Sequence, residues 1–328
     1  MAIGSGLGAQ LGIAAEVTYG SYVAPTKFVE FTKAGLQLKK TTAQSAGIAA
    51  GRLLPLGSRR VVTQRQASGG LGLEVTTKHM GLLLQTLMGT TVTPVQQGAT
   101  SAYLQTHTLA DTAGKSLSVQ VGMPLTTGTV VRKNFLGCKI TSGEFACGVG
   151  EMLVSTFEFD SKNVEETSAL AAASYPAMSV FHFGQMGLRV GAYGAEVAAD
   201  GIRKVSVKVE RPQATERFYA GADGLKAEPI TNDQIKITGT IEMDYVSAAF
   251  DDLHTSDAGT SLVWEFVGSN IESTFDETFR IVLPEVHFDD APPTVDGPDV
   301  IKPTLTFTAV YDGTNQPRIE YMSSDVTL

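Results

Sequence analysis

The sequence has few of the residues that carry redox, metal or membrane chemistry. Its 328 residues include two cysteines, one tryptophan and five histidines. Cys138 and Cys147 are too few for a disulfide scaffold and suit a reducing compartment, so we expect two small buried thiols rather than a disulfide. No apolar run approaches the roughly 18 residues that span a bilayer, and the first residues lack the basic and apolar regions of a secretory signal. We therefore expect no membrane segment.

The sequence is also short of positive charge. Its net charge is −9, from 25 Lys and Arg against 34 Asp and Glu, which argues against a surface that binds nucleic acid by neutralising phosphates. Residues 1–167 carry 14 basic and 10 acidic side chains, a net charge of +4, whereas residues 168–328 carry 11 and 24, a net charge of −13. Such a split is usual for a solvated surface, and it also suits contacts between unlike halves of neighbouring subunits.

The glycine-rich stretch GSGLGAQLGIAAEVTYGSYVAP, residues 4–25, has the composition of a phosphate-binding loop. A dinucleotide site, however, needs a strand, the spacing G-x-G-x-x-G and then a helix. The four glycines up to Gly12 do not have that spacing, and no strand is expected in the three residues before the first of them. The remaining interpretation is an assembly arm over residues 1–27, whose glycines let the backbone run close to a neighbouring subunit.

No pattern of residues indicates catalysis, a cofactor or a metal centre. The histidines are isolated, neither cysteine lies in a catalytic signature, and no G-x-S-x-G motif occurs. A carboxylate pair for glycoside hydrolysis stays open, because nothing singles one out. The acidic loop FDDAPPTVDGPD lacks the register of an EF-hand loop, so we favour a solvated turn over a calcium site. Its candidate oxygen ligands are Asp289, Asp290, Asp296 and Asp299.

The local patterns predict a β-rich chain. Short alternating or β-branched runs recur between turn residues, as in Leu117–Val121, Val130–Ile140 and Lys236–Tyr245. Two stretches have helical character, Lys78–Met88 and Val246–His254, and each directly follows a predicted strand. We therefore expect one short helix in each half of the chain.

The order of these elements repeats. Strand, long loop, strand, helix and three further strands occur twice, which indicates an internal duplication; two unrelated β-domains with a common order are the alternative. The predicted segments are an N-terminal arm at residues 1–27, a first domain at 28–165, a linker at 166–177, a second domain at 178–312 and a C-terminal arm at 313–328.

Two long segments, residues 41–66 and 210–235, lie outside the predicted cores. Long loops in compact domains tend to bind a neighbour, and apolar side chains on protruding hairpins are costly to leave in water. The first segment has apolar residues beside arginines, and the second has aromatic residues beside arginines. We predict inter-subunit contacts here, with two solvated hairpins as the alternative. The candidate residues are Leu53, Leu54, Leu56, Arg59, Arg60, Arg217, Phe218 and Tyr219.

Several stretches resemble the tail tube proteins of long-tailed, non-contractile, siphovirus-like bacteriophages, and together they cover nearly the whole chain. The resemblance is carried by GLGAQLGIAAEVTYGSYVAPTKFVEF at residues 6–31, AAGRLLPLGSRRVV at 49–62, GKSLSVQVG at 114–122, GCKITSGEFACGVGEML at 137–153, and GPDV at 297–300 with the strand that follows.

This resemblance implies a β-sandwich tube domain flanked by one helix. With the repeated order of elements, the expected fold is mainly β, with two tandem tail-tube-like β-sandwich or barrel domains, each with one short helix, plus extended arms and long hairpins. The resemblance also implies a structural, non-enzymatic protein of the virion tail, assembled in the host bacterial cytoplasm into stacked rings around a lumen for genome ejection. The implied partners are further copies of the chain, the tail terminator, the tape measure and the distal tail proteins, with no cofactor. An acidic lumen would pass DNA without specific binding, because negative walls repel phosphates.

The duplication then predicts the symmetry of a ring. Simple rings of this family hold six domains, one from each subunit, so a chain with two domains needs only three copies for a trimeric, pseudo-hexameric ring. The alternative function is a β-sandwich decoration or adhesin protein that binds a host or capsid surface. Self-polymerisation without a receptor distinguishes the two.

Overall fold

The computed structural model describes residues 3–290, 293, 295 and 297–328, and in them the chain is mainly β. The strands of the first half are β1 Gln10–Ala15, β2 Lys27–Phe28, β3 Lys33–Ala34, β4 Gln37–Gln44, β5 Arg60–Glu74, β6 Val95–Gln96, β7 Tyr103–Thr108, β8 Leu117–Pro124, β9 Val130–Gly148, β10 Val154–Ser161 and β11 Asn163–Glu165. The second half contains β12 Met186–Gly191, β13 Val197–Ala198, β14 Ile202–Glu210, β15 Gln213–Ala214, β16 Ile230–Thr231, β17 Lys236–Met243, β18 Thr260–Glu272, β19 Phe275–Asp290, β20 Thr304–Val310 and β21 Arg318–Ser323.

Two α-helices interrupt the strands of the described chain. Helix α1 spans Gly81–Met88 and helix α2 spans Ala249–Ser256, so each begins three residues after the predicted start and the second ends two residues later than predicted. The prediction of a mainly β fold with two short helices is confirmed. The segment GLLLQTLM is apolar on nearly all sides, which is typical of a helix buried within the core.

Each half pairs four strands in the same spatial order. In the first half the order is β4–β5–β10–β9, and in the second it is β14–β17–β20–β19, all antiparallel. The long strands β9 and β19 also continue into a second layer, where β9 pairs with β8 and β11, and β19 pairs with β18 and β21. The two layers enclose apolar side chains as in a sandwich.

The two halves are joined by hydrogen bonds between strands. The pairing of β9 with β14 runs from Gly148 opposite Lys204 to Ser142 opposite Glu210, so the two four-strand series form one continuous sheet. The apolar core is continuous as well, since the rings of Phe145 and Phe279 lie 5.2 Å apart between centroids. The predicted domain limits, residues 28–165 and 178–312, therefore stay a prediction, because both the sheet and the apolar core cross the boundary between the two domains.

The N-terminal segment contributes to the core, which corrects the expectation that residues 1–27 serve only as an arm. Leu11 and Ile13 are fully buried, and β1 pairs with β8 over six residues. Glu16 is also buried, and its carboxylate accepts hydrogen bonds from Ser116 Oγ at 2.6 Å and from the Gly137 amide at 2.8 Å. Residues 11–14 of β1 are all buried, so the strand lacks the alternation of a half-exposed strand, and its glycine and alanine content hid it in the sequence.

The predicted linker and C-terminal arm also lie against the body of the protein. The segment 166–177 has no helix or strand, but it crosses the β1–β8 layer, where Gln10 Nε2 donates to the Ala171 carbonyl at 2.7 Å. The C-terminal segment 313–328 contains β21, which lies between β19 and β7. This strand buries Ile319 and Tyr321, so the segment is a sheet strand rather than a free arm.

Candidate assembly surfaces

The first long segment projects from the sheet as a β-hairpin. Strand β4 is exposed along its whole length, and residues 60–63 of β5 are exposed with it. Over residues 60–64 β5 pairs only with β4, because its bridge from Arg65 to Leu225 and its pairing with β10 from Ala67 begin further along. We call residues 41–66 the first hairpin and residues 45–59 its tip. The hairpin thus extends beyond the core that the rest of β5 supports.

The tip carries the candidate apolar residues of the sequence analysis in contact with solvent. Leu53 is 99% exposed, Leu54 is 79% exposed and Leu56 is 38% exposed. Arg59 and Arg60 are also exposed, and neither forms an ion pair within the described residues. Exposed leucines on a protruding hairpin are the pattern expected of a surface that another molecule covers. Whether these residues contact a neighbouring subunit stays a prediction.

The second long segment, residues 210–235, folds back onto the first half, so it is not a protruding hairpin. Its first contact is Arg211, which is 2% exposed. The guanidinium donates to the carbonyls of Leu87 and Met88, each at 2.9 Å, and to that of Ala110 at 2.5 Å. The carbonyls of Leu87 and Met88 lie in the last turn of α1, where a cation stabilises the helix end, and the Met88 carbonyl also accepts from the Ala110 amide. Burial lowers the pKa of Arg211 to about 10, so the side chain remains charged at neutral pH.

Two lysine–carboxylate pairs hold the second segment in place. Lys226 is buried and forms an ion pair with Asp160 of β10, while Lys139 of β9 is buried and forms an ion pair with Glu228. Burial raises the pKa of the Asp160 carboxyl, against the opposing effect of the Lys226 ammonium. Burial likewise lowers the pKa of Lys139, against the effect of Glu228. These pairs could not be predicted from local patterns, because the partners are far apart along the chain.

The remaining candidates of the second segment form a small cluster at its surface. Arg217 is half-buried and lies 5.8 Å from the centroid of the Tyr219 ring, in a cation–π arrangement. Its side chain also donates to the Glu228 carbonyl. Phe218 is half-buried in a bridge with Lys226, and Tyr219 is 59% exposed. Of the eight candidates, the structure brings these three together and places the other five on the separate first hairpin.

Two open sheet edges were not identified by sequence reasoning. Strand β4 pairs with β5 on one side, and its other side has no partner strand in the described chain. Strand β19 pairs with β18 only as far as Val286, so residues 287–290 have β20 on one side and, in the described chain, no strand on the other. The carbonyl of Phe288 in this stretch is hydrogen-bonded to the His254 ring of α2 at 2.8 Å, so this edge is only partly open. Unpaired backbone donors and acceptors of this kind are a template for pairing with another chain. Only the order of strands in the sheet reveals them.

The acidic loop does not form a metal centre in the described residues. Within them, no three His, Cys, Asp or Glu side chains converge as ligands. Asp289 accepts a hydrogen bond from Thr308 Oγ1 at 2.6 Å, and Asp299 caps the amide of Val300 at 2.7 Å. Asp296 lies outside the described residues, so calcium binding that involves it stays untested.

Several titratable side chains of the interior have pKa values shifted by burial. Cys138 and Cys147 are free and buried, as predicted, and burial raises the pKa of both thiols. His107 is buried in β7, where burial lowers its pKa to about 3. Among the described helices, none is both long enough and apolar enough to cross a membrane.

The described chain thus has a continuous β-sheet with open edges, an exposed apolar hairpin and a tightly packed core. The profile of the phage tail tube protein family matches residues 6–309. The chain therefore belongs to the phage tail tube protein family, and it is a structural protein of the phage tail. No curated protein matches it.

Proposed function

We propose that copies of this chain assemble into rings, and that the rings stack into the tail tube through which phage DNA leaves the capsid. Family membership supports the tube, and the pairing of β9 with β14 supports the ring. In this pairing the last strand of the first four-strand series joins the first strand of the second series. The same kind of pairing can form between two chains. Strand β19 is the last strand of the second series, and β4 is the first strand of the first series.

The ring interface is thus a repetition of a junction that already exists inside the chain. Residues 287–290 of β19 in one copy pair with the open side of β4 in the next copy, which continues the sheet around the ring. Charge supports this pairing, since β4 carries Lys39 and Lys40 and the end of β19 carries Asp289 and Asp290. Opposite charges across neighbouring strands stabilise a sheet, and the +4 and −13 halves attract each other at longer range.

Three chains close such a ring, because each chain supplies two of six positions. The ring then has true three-fold and approximate six-fold symmetry, with every interface joining a first half to a second half. The covalent link inside each chain raises the effective concentration of the two halves and favours closure. The tail terminator and the distal tail proteins bind the tube at its two ends, the tape measure occupies it before ejection, and its acidic walls let DNA pass without retaining it.

Electron microscopy of the purified full-length protein tests this function. We expect negative-stain images of concentrated protein to show hollow tubes without any receptor, and cryo-electron microscopy to show three copies of the chain per ring. Six copies per ring would mean that the two halves do not occupy two ring positions. Discrete trimers or monomers at every concentration would favour a decoration or adhesin protein instead. Duplex DNA added at about 0.15 M salt should not remain bound to the tubes.

A further inference from the structure

The starts of the two helices are covered differently. At α1, the C-terminal residues of the chain close the surface: Asp325 accepts a hydrogen bond from the His79 amide at 2.6 Å, and Lys27 Nζ donates to the Thr327 carbonyl at 3.1 Å. Leu328 packs against the core beside Gly81. Seven of the eight residues of α1 are buried, since strands β1, β7, β9 and β21 also pack on the helix. Residues 325–328 thus cover the start of α1.

The equivalent place at α2 is an open groove. It lies between the start of α2 and strands β12 and β13, and its volume is about 510 Å³. Only Phe250 of α2 is buried, while Val246 at the helix start is 57% exposed and Val197 of β13 is 69% exposed. We call this the α2 groove. In the described chain nothing corresponds to the tail that covers α1. Water-exposed valines in a concave site favour an apolar occupant.

Charge indicates what kind of segment occupies the α2 groove. Asp200 lines the groove, and Asp251 and Asp252 lie on α2 beside it. The two other aspartates of residues 244–257 already have partners, Asp244 in Arg203 and Asp257 in His287. Asp251 and Asp252 form no ion pair within the described residues. The first hairpin has the opposite character, with four arginines and no acidic residue in residues 41–66, beside its exposed leucines. The two surfaces are therefore complementary in both charge and hydrophobicity.

The positions of the two surfaces decide between a contact within one copy and a contact between copies. Strands β5 and β17 run in the same direction, because four antiparallel pairings separate them in the continuous sheet. The tip of the first hairpin precedes the start of β5, whereas the α2 groove follows the end of β17. The two surfaces thus lie at opposite ends of the sheet. Complementary surfaces at opposite ends make a head-to-tail contact, which extends into a filament.

We propose that the α2 groove is the seat of the first hairpin from a second copy of this chain in the adjacent ring. The leucines of the tip lie against Val197, Val246 and Phe250, and Arg59 and Arg60 face Asp251 and Asp252. This inference rests on the proposed stacking of rings into a tube. It deepens that proposal by naming the receiving site.

Charge reversal on the two sides tests the proposal through mutual rescue. The tip variant R59E/R60E and the groove variant D251K/D252K should each raise the protein concentration needed for tube formation by about tenfold or more. Mixed in equal amounts, the two variants should form tubes again, because each reversed tip then meets a reversed groove. The charge-preserving variants R59K/R60K and D251E/D252E are the matched controls and should assemble like the unmodified protein.

A cross-link gives a second measurement that does not depend on charge. L54C/V246C tubes, oxidised by oxygen with a copper catalyst, should form a ladder of disulfide-linked chains on a non-reducing gel. L54C/V267C should not, because Val267 lies on β18 away from the groove; the native cysteines are buried and add little background. Normal assembly of D251K/D252K, or tubes of L54C/V246C without the ladder, would overturn the α2 groove as the seat. Failure of the unmodified protein to form tubes would instead overturn the proposed function.

Discussion

The first hairpin and the second segment, residues 41–66 and 210–235, stand at matching positions in the two halves and behave oppositely. Each joins the first two strands of its four-strand series, β4 to β5 and β14 to β17. The first hairpin projects into solvent and exposes Leu53 and Leu54. The second segment folds onto the neighbouring half and buries Arg211 and Lys226. Both contain arginines and apolar side chains, but the first hairpin has no acidic residue whereas the second segment has five.

The difference shows that equivalent loops can bind within the chain or remain available to another chain. The second segment reaches the first half because β9 and β14 already hold the halves together, so its partners lie within a few ångströms. Beyond β4 there is no further strand in the described chain, so the first hairpin has no comparable surface on which to fold. The second segment is thus expected to contribute to folding, and the first hairpin to assembly.

The largest expected loss of stability comes from breaking the ion pair that anchors the second segment. Replacing Lys226 with methionine leaves the Asp160 carboxylate buried without its counter-ion, so we expect the free energy of unfolding to fall by about 3–5 kcal/mol. Urea unfolding followed by circular dichroism measures this. The double variant K226M/D160L should recover most of the loss, because the uncompensated charge is gone.

The matched control for that variant is the exposed pair formed by Lys208 and Glu210. K208M should cost about 1 kcal/mol or less, because solvent screens an exposed ion pair. Equal losses from K226M and K208M would show that burial does not anchor the second segment.

Replacing Arg211, the arginine of the second segment that caps α1, should cause a somewhat smaller loss of stability. R211M removes three hydrogen bonds to buried carbonyls and should lower the free energy of unfolding by about 2–4 kcal/mol. R211K should restore only part of this, since an ammonium cannot reproduce the planar fork of donors. The corresponding change in the first hairpin, R59M, should change the free energy of unfolding by about 0.5 kcal/mol or less. A comparable loss from R59M would contradict the contrast between the two loops.

Acid should weaken the contact between the halves through His107. This residue of β7 pairs with Ile319 of β21 in the second half. Its pKa of about 3 lies below the value of about 6.5 for an unfolded chain. Between these values the unfolded chain binds the additional proton, so the free energy of unfolding falls as pH drops from about 6.5 toward 3.

The variant H107Q removes this titration and should flatten the dependence of unfolding on pH, measured in urea at pH 7 and pH 5. An unchanged slope in H107Q would mean that other groups account for acid sensitivity.

The smallest effect on stability is expected at the tip of the first hairpin, where the effect on assembly is greatest. Replacing Leu53, Leu54 and Leu56 with serine should change the free energy of unfolding of the free subunit by about 0.5 kcal/mol or less, because these side chains are exposed. The same triple variant should fail to form tubes in negative stain. A large loss of subunit stability would mean that the leucines pack within their own chain.

Local patterns were sufficient for the class of fold and for most of its elements. Alternation of apolar residues predicted β8, β17 and much of β9, and the apolar run at Leu82–Leu84 predicted α1. These features depend on near neighbours in sequence, where the periods of strand and helix are visible. The strand β1 was missed, because its glycine and alanine content resembles that of a flexible arm.

The sequence alone determined that this is a mainly β chain with two short helices and free buried thiols. It also contains stretches that resemble phage tail tube proteins. The tertiary structure alone decided that the first hairpin is open while the second segment is anchored, and that β4 and β19 have open edges. It also placed Asp160 beside Lys226 and left the α2 groove uncovered. These features depend on which strands become neighbours, and pairings between residues far apart in sequence leave no local pattern from which to read them.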